Sequence, residues 1–192
     1  LPRPYVHFRK AVHDLIPYVH SFENMHVVIV AGSDEEYARE VRRDVADHKL
    51  DNVSVFGYVE EMARLMKAVD VIVCKPGGLT VTECLNANVP MVLLGRAYGQ
   101  EKANVSMLTS YGAAFHVTTS RELVDLLRQI NHYPETTSAI LVNASFIRRP
   151  RAAIDIGKAT LDLAKRAPDH LDRRYKKHFM RFYFGGKPAH IR

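Results

Sequence analysis

The sequence predicts an α/β fold, a Rossmann-like parallel sheet with helices on both faces. Three observations predict it. Short apolar runs rich in valine and isoleucine alternate with stretches of helical spacing along 192 residues, the pattern of a doubly wound domain. Runs such as Val71-Ile72-Val73-Cys74 and Met91-Val92-Leu93-Leu94 are apolar at every position, as strands buried on both faces must be. Glycines punctuate the ends of the runs, at Gly32, Gly57 and Gly77-Gly78, where a strand turns toward the next helix.

The elements follow in order. Residues 1–20 space Phe8, Val12, Leu15, Ile16 and Val19 as one helix face, interrupted by Pro17. No strand precedes them in the sequence, although a doubly wound sheet opens on a central strand and a glycine loop. The first strand is therefore expected to be missing, and the domain to be incomplete at its amino end. Residues 26–31 read as the first strand present, and Ser33 as the N-cap of a helix with Tyr37, Val41 and Val45 on one face. Val53-Ser54-Val55-Phe56 is the second strand. Glu60 and Glu61 open a helix that aligns Met62, Leu65, Met66 and Val69, and their charge suits its N-terminus. A third strand, 71–74, precedes a helix over 80–87; then come a strand at 90–94 and the loop Gly95-Arg96-Ala97-Tyr98-Gly99-Gln100-Glu101. A helix at 101–110, a strand at 113–117, a helix carrying Leu123, Leu127 and Ile130, and a helix over 151–166 complete the domain. Residues 1–166 form the Rossmann-like domain in this reading, and residues 167–192 a basic aromatic tail.

Composition narrows the function classes. Hydrophobic residues at 47% and charged residues at 25% belong to a folded globular chain. No apolar run approaches the roughly 20 residues of a membrane span. Cys74 and Cys84 are the only cysteines and read as reduced core residues, which favours the cytoplasm. The ten histidines are scattered without paired cysteines, so no zinc pattern emerges, and His116 in an apolar stretch reads as structural. A net charge of +6 points to an anionic partner. No Asp-x-Asp pair is present to hold a divalent ion against a diphosphate, which fits the expectation, implied by the family resemblance given below, of a reaction with no metal or other cofactor.

Two loops carry the chemistry. Strand, Gly77-Gly78, helix is the geometry of an anion site at the carboxyl end of a parallel strand: the glycines admit a ligand close to the backbone, and free N–H groups of the helix face it. Thr80 falls in the first turn, where its hydroxyl can meet a phosphate oxygen, and Glu83 lies three residues on along the same face. A carboxylate there suits the two vicinal hydroxyls of a ribose. A plain strand–turn–helix connection with Thr80 as cap fits the same residues. Lys75 reads either as a phosphate partner or as a solvated strand-end lysine. The second loop, Tyr98-Gly99-Gln100-Glu101 with Asn104, follows the neighbouring strand; Gln100 and Glu101 can read sugar hydroxyls or can simply be solvated.

Taken together, V-D-V-I-V-C-K-P-G-G-L-T-V-T-E, G-Q-E-K-A-N and Y-G-A-A resemble the C-terminal half of lipid glycosyltransferases of the family 28 type, built from two Rossmann-like domains. The resemblance covers about residues 25–165. The group most similar is that of the processive diacylglycerol glucosyltransferases and monogalactosyldiacylglycerol synthases. The peptidoglycan N-acetylglucosaminyltransferase acting on lipid I is a more distant relative. The resemblance implies that Gly77, Gly78, Leu79 and Thr80 hold the diphosphate and Glu83 the ribose. Gln100 and Glu101 would contact the donor sugar, with Asn104 buttressing their loop, while Tyr58 and Val59 would hold uracil. For Tyr58 an ordinary strand-end aromatic is the alternative. Family members usually carry Pro-Gly-Gln-Glu where this chain has Tyr98-Gly99-Gln100-Glu101, which touches loop rigidity and sugar choice.

The implied reaction moves a hexose, glucose or galactose, from a UDP-sugar to diacylglycerol or a glycolipid. This chain would be the donor-binding half, paired with its own N-terminal domain, which in the family holds the acceptor and the catalytic base. The fragment alone is expected to be inactive. A lipid I N-acetylglucosaminyltransferase and a non-catalytic UDP-sugar-binding module are the alternatives. Residues 171–192 place seven Lys and Arg against Asp172 and interleave Phe179, Phe182, Tyr183 and Phe184. That pattern fits an anionic membrane surface and a peripheral position on the inner face of the cell membrane, or a helix packed on the N-terminal domain. Nucleic acid is not expected as a partner, since Glu83 and Glu101 would serve no purpose there.

Overall fold

The computed structural model describes residues 6–166, so the tail at 167–192 lies outside the described residues. The chain divides into two compact units, Leu1–Arg149 and Pro150–Arg192. Within the first unit, short runs that lose water on both sides become strands, and each is followed by a helix. The strands are β1 (Val27–Val30), β2 (Val53–Phe56), β3 (Ile72–Cys74), β4 (Met91–Leu94) and β5 (Phe115–Val117). The helices are α1 (Val6–Leu15), continued by a 3-10 segment at Ile16–Ser21, α2 (Glu35–Asp47), α3 (Met62–Ala68), α4 (Gly78–Ala87), α5 (Gln100–Ser110), α6 (Ser120–His132) and α7 (Thr136–Ile147). The second unit contributes α8 (Ala152–Arg166). None of the described helices is long and apolar enough to cross a membrane.

All strand pairs are parallel, β1 with β2 and β3-β4-β5 in line. Alternation along the strands sorts side chains into two cores. Val27, Ile29, Val53, Val55, Val71, Val73, Val92, Leu94 and Val117 meet α1, α2 and α6 on one face. Ile72, Cys74, Met91 and Leu93 meet α3, α4, α5 and α7 on the other. β4, with a neighbour on each side, is the strand buried at every position, and complete removal of such side chains from water contributes roughly 1.5–3 kcal/mol each. The expected α/β architecture with helices on both faces is the one observed.

Several boundaries differ from the sequence reading. Asp34, not Ser33, caps α2: its carboxylate accepts from the Tyr37 N–H at 3.0 Å, and Glu35 and Glu36 occupy the first turn. Arg9 on α1 also pairs with Asp34, which a serine one position earlier could not offer. α4 starts at Gly78 rather than at residue 80, so the glycines are part of the helix entrance. Pro17 does not end the first helical stretch; it sits near the start of the 3-10 segment, where its missing N–H costs nothing. Helix α7 was absent from the sequence reading altogether.

Cys74 and Cys84 are buried free thiols. A hydrogen bond between them, with burial, pushes the Cys74 thiol well above its ordinary range. Both are core residues, as expected. His116 is structural as well: its Nε2 lies 2.9 Å from the Gly95 carbonyl and anchors the start of the loop after β4.

Candidate functional site

The carboxyl ends of β3 and β4 lead into two helices whose N-termini open side by side. β3 runs through Lys75 and the buried Pro76 to Gly77, the N-cap of α4. No side chain caps this helix. The N–H groups of Gly78, Leu79 and Thr80 precede the first intrahelical bond, Val81 N–H to the Gly77 carbonyl at 3.0 Å, and so are open to a ligand. A side chain at Gly77 would meet nothing within 4 Å, so the approach is open. Leu79 is 84% exposed and Glu83 is exposed one turn further along. Unsatisfied N–H groups and the positive end of the helix dipole coincide here, which is what an anion requires.

The second entrance is built differently. Gly99, the N-cap of α5, has φ 54 and ψ −124, a conformation that a side chain at that position would strain. It turns the chain so that Gln100 and Glu101 form the first turn of α5. Tyr98, where the family pattern has proline, projects its ring into solvent. The glycine, not its neighbour, sets the direction of this loop.

Two contacts lock the entrances together. Asn104 Nδ2 donates to the Pro76 carbonyl at 2.8 Å, across from α5 to the strand end before α4. Lys75 Nζ lies 3.6 Å from Glu101 Oε1, each side chain about one-third exposed. Asn104 was expected to buttress its own loop; the hydrogen bond it makes is to the end of the glycine loop. Lys75 was read as a phosphate partner or a solvated lysine, and it spans the two loops. Neither contact was visible in the sequence, although both join residues just past the ends of adjacent strands, where such partners meet.

Gly77, Gly78, Leu79, Thr80 and Glu83 thus lie along one helix start, and Gln100, Glu101 and Asn104 along the next. Tyr58 and Val59 follow β2, and Tyr58 is 75% exposed. Among the described residues no group of three His, Cys, Asp or Glu side chains is arranged to hold a metal ion.

Residues 7–143 match the glycosyltransferase family 28 C-terminal domain. The processive diacylglycerol beta-glucosyltransferase of Bacillus subtilis is 32% identical over 103 residues, 54% of this chain and 27% of that protein. Its counterpart from Staphylococcus epidermidis is 30% identical over 113 residues, 59% of this chain and 28% of that protein. The chain therefore spans little more than a quarter of the length of these curated relatives. Among solved structures, MurG from Acinetobacter baumannii superposes with a TM-score of 0.61 at 24% identity, covering 77% of this chain and 44% of that one. Anabaena HepE, solved in complex with UDP and glucose, gives 0.59 at 19% identity, covering 80% and 43%. These two share the fold. With its strand–Gly-Gly–helix entrance and the family match over most of its length, the chain belongs to the glycosyltransferase family 28 C-terminal domain family.

Proposed function

We propose that the chain is the donor-binding half of a glycosyltransferase that moves a hexose from a UDP-sugar to diacylglycerol or a glycolipid. One observation carries the reading: two helix entrances at adjacent strand ends, one uncapped and glycine-rich, are held in register by Asn104 and Lys75. The family match and the names of the relatives support it. In this reading the N–H groups of Gly78, Leu79 and Thr80 receive the diphosphate and the Thr80 hydroxyl adds a donor. Glu83 takes the ribose hydroxyls, Tyr58 and Val59 the uracil, and Gln100 and Glu101 the hexose.

Chemistry at this half is stabilisation of the departing UDP. A helix N-terminus contributes roughly 0.3–2 kcal/mol toward that charge, far short of an enzyme's rate enhancement. Most of the remainder comes from holding donor and acceptor in attack geometry. The base that takes the acceptor's proton lies outside the three donor loops, on the half of the enzyme that binds the lipid. Membrane attachment belongs to that complete enzyme.

Calorimetry with UDP, ADP and GDP tests the donor assignment. UDP is expected to bind tightest, and equal affinity for ADP would remove the uridine reading. Gln100→Ala, which leaves the Lys75–Glu101 pair intact, should spare UDP while weakening UDP-glucose, UDP-galactose or UDP-N-acetylglucosamine, whichever is the donor. Equal losses for UDP and for every UDP-sugar would show that the second loop does not face the hexose.

A further inference from the structure

The backbone of Lys75 is fixed on both sides. Cys74 before it is buried at the end of β3, and the Pro76 side chain after it is fully buried. The Pro76 carbonyl accepts from Asn104 Nδ2 at 2.8 Å. Glu101 is rooted as firmly, in the first turn of α5, where its N–H donates to the Tyr98 carbonyl at 3.1 Å. Glu101 and Asn104 stand three residues apart on that helix and so share a face. One turn of α5 therefore holds two consecutive residues past β3. Asn104 does so through the Pro76 backbone, and Glu101 through the Lys75 side chain.

The two grips differ in kind. The Asn104 contact is a direct hydrogen bond and by itself fixes the loop against the helix. Lys75 Nζ and Glu101 Oε1, at 3.6 Å, are too far apart for a hydrogen bond and interact through charge. Each side chain is about one-third exposed, and salt screens such sheltered pairs less than charges in open water. Lysine and glutamate have many rotamers, and ordering them is unfavourable. As a structural tie, this pair repeats what the neighbouring hydrogen bond already does. It also engages one side of the carboxylate: Oε1 meets the ammonium, and Oε2 has acceptor sites of its own.

We infer that Lys75 is a positioning residue for the donor sugar: it orients the Glu101 carboxylate before the ligand arrives, holding one oxygen and leaving the other to the hexose hydroxyls. Ordering Glu101 in advance removes an entropy cost that binding would otherwise carry. A fixed acceptor also tells hydroxyls apart by direction. Glucose and galactose differ in the direction of one hydroxyl, so the pair acts on which hexose is taken. A lysine serving the diphosphate would behave differently, since its loss would fall on UDP itself. The inference rests on the donor reading, in which Glu101 faces the hexose.

The test is calorimetry on the full 192-residue chain with UDP, UDP-glucose, UDP-galactose and UDP-N-acetylglucosamine. The wild type is compared with Lys75→Met, Lys75→Arg, Glu101→Gln and the double variant Lys75→Met, Glu101→Gln. The quantity read is the affinity for each UDP-sugar divided by that for UDP. Lys75→Met is expected to keep UDP affinity, which also reports that it folds. It should lower the ratio for the preferred sugar by about fivefold or more and flatten the preference among sugars. Lys75→Arg should restore most of the ratio, and Glu101→Gln should match Lys75→Met. The double variant should lose no more than either single one, because the two residues act as a unit. Equal losses for UDP and UDP-sugar in Lys75→Met would overturn the inference, as would losses that multiply in the double variant. A wild type that treats all the sugars alike would overturn it together with the placing of Glu101 at the hexose. A preference that Lys75→Met leaves intact would overturn the inference alone.

Discussion

Glu83 is the residue on which the donor reading is most exposed. It is solvent-exposed on α4, one turn past the uncapped entrance, so the fold does not need it. Glu83→Ala should weaken UDP binding by about 1–3 kcal/mol, the range for losing a charged hydrogen-bond partner, and should barely affect 2′,3′-dideoxy-UDP. Equal losses for both ligands would make the residue structural. Tyr37 offers the opposite case. Its ring is buried against Arg9, 4.5 Å from the ring centre, and against His13, yet its hydroxyl is buried without a hydrogen-bond partner. An unsatisfied buried polar group costs about 1–3 kcal/mol, so Tyr37→Phe should raise the urea midpoint. Burial pushes the Tyr37 phenol from 10.0 up to about 12. Because the folded value is the higher, its contribution to stability is intact below pH 10.0 and lost as pH rises toward 12. The wild-type chain should therefore lose stability through that window, and Tyr37→Phe should lose less. Parallel alkaline melts that coincide would contradict the assignment.

Among the elements, the α4 and α5 entrances act as a pair because of Asn104. Its bond to the Pro76 carbonyl crosses 28 positions of sequence. Asn104→Ala should cost about 0.5–1.5 kcal/mol of stability. It should also weaken UDP binding, although the side chain is assigned to no nucleotide contact. Loss of stability with unchanged UDP affinity would show that the glycine loop keeps its shape unaided. The same bond marks the limit of what sequence could convey. The strands were readable because runs such as Met91-Val92-Leu93-Leu94 have only one home, between two cores. The glycine loop was readable because Gly77-Gly78 directly follows such a run. A bond between Asn104 and Pro76 leaves no local trace, since neither residue type depends on the other. α7 was missed for a different reason. Ile140 and Ala144 are buried, but Val142 and Phe146 are exposed on the same helix, so its apolar residues surround the axis and show no single stripe. Ser33 was chosen over Asp34 because both are good caps; the partner that favours Asp34, Arg9, lies on another helix.

At the scale of the whole molecule, the parallel sheet with helices on both faces was legible, because short apolar runs alternate with helical spacing along the sequence. The division into two ladders also bears on how the chain reaches its native state. β3, α4, β4, α5 and β5 are consecutive, and their pairings link strands adjacent in sequence. Local pairings of this kind close short loops and form early. β1, α2 and β2 make a second run of the same kind, joined to the first through side chains in a shared core, and among the described residues no strand ladder links the two. Refolding should therefore proceed in two stages, with β4 as the centre of the first nucleus. In pulse-labelled refolding the Leu93 amide should become protected before that of Ile29. Simultaneous protection would mean that the shared core, despite the break in the ladder, makes the unit collapse as one.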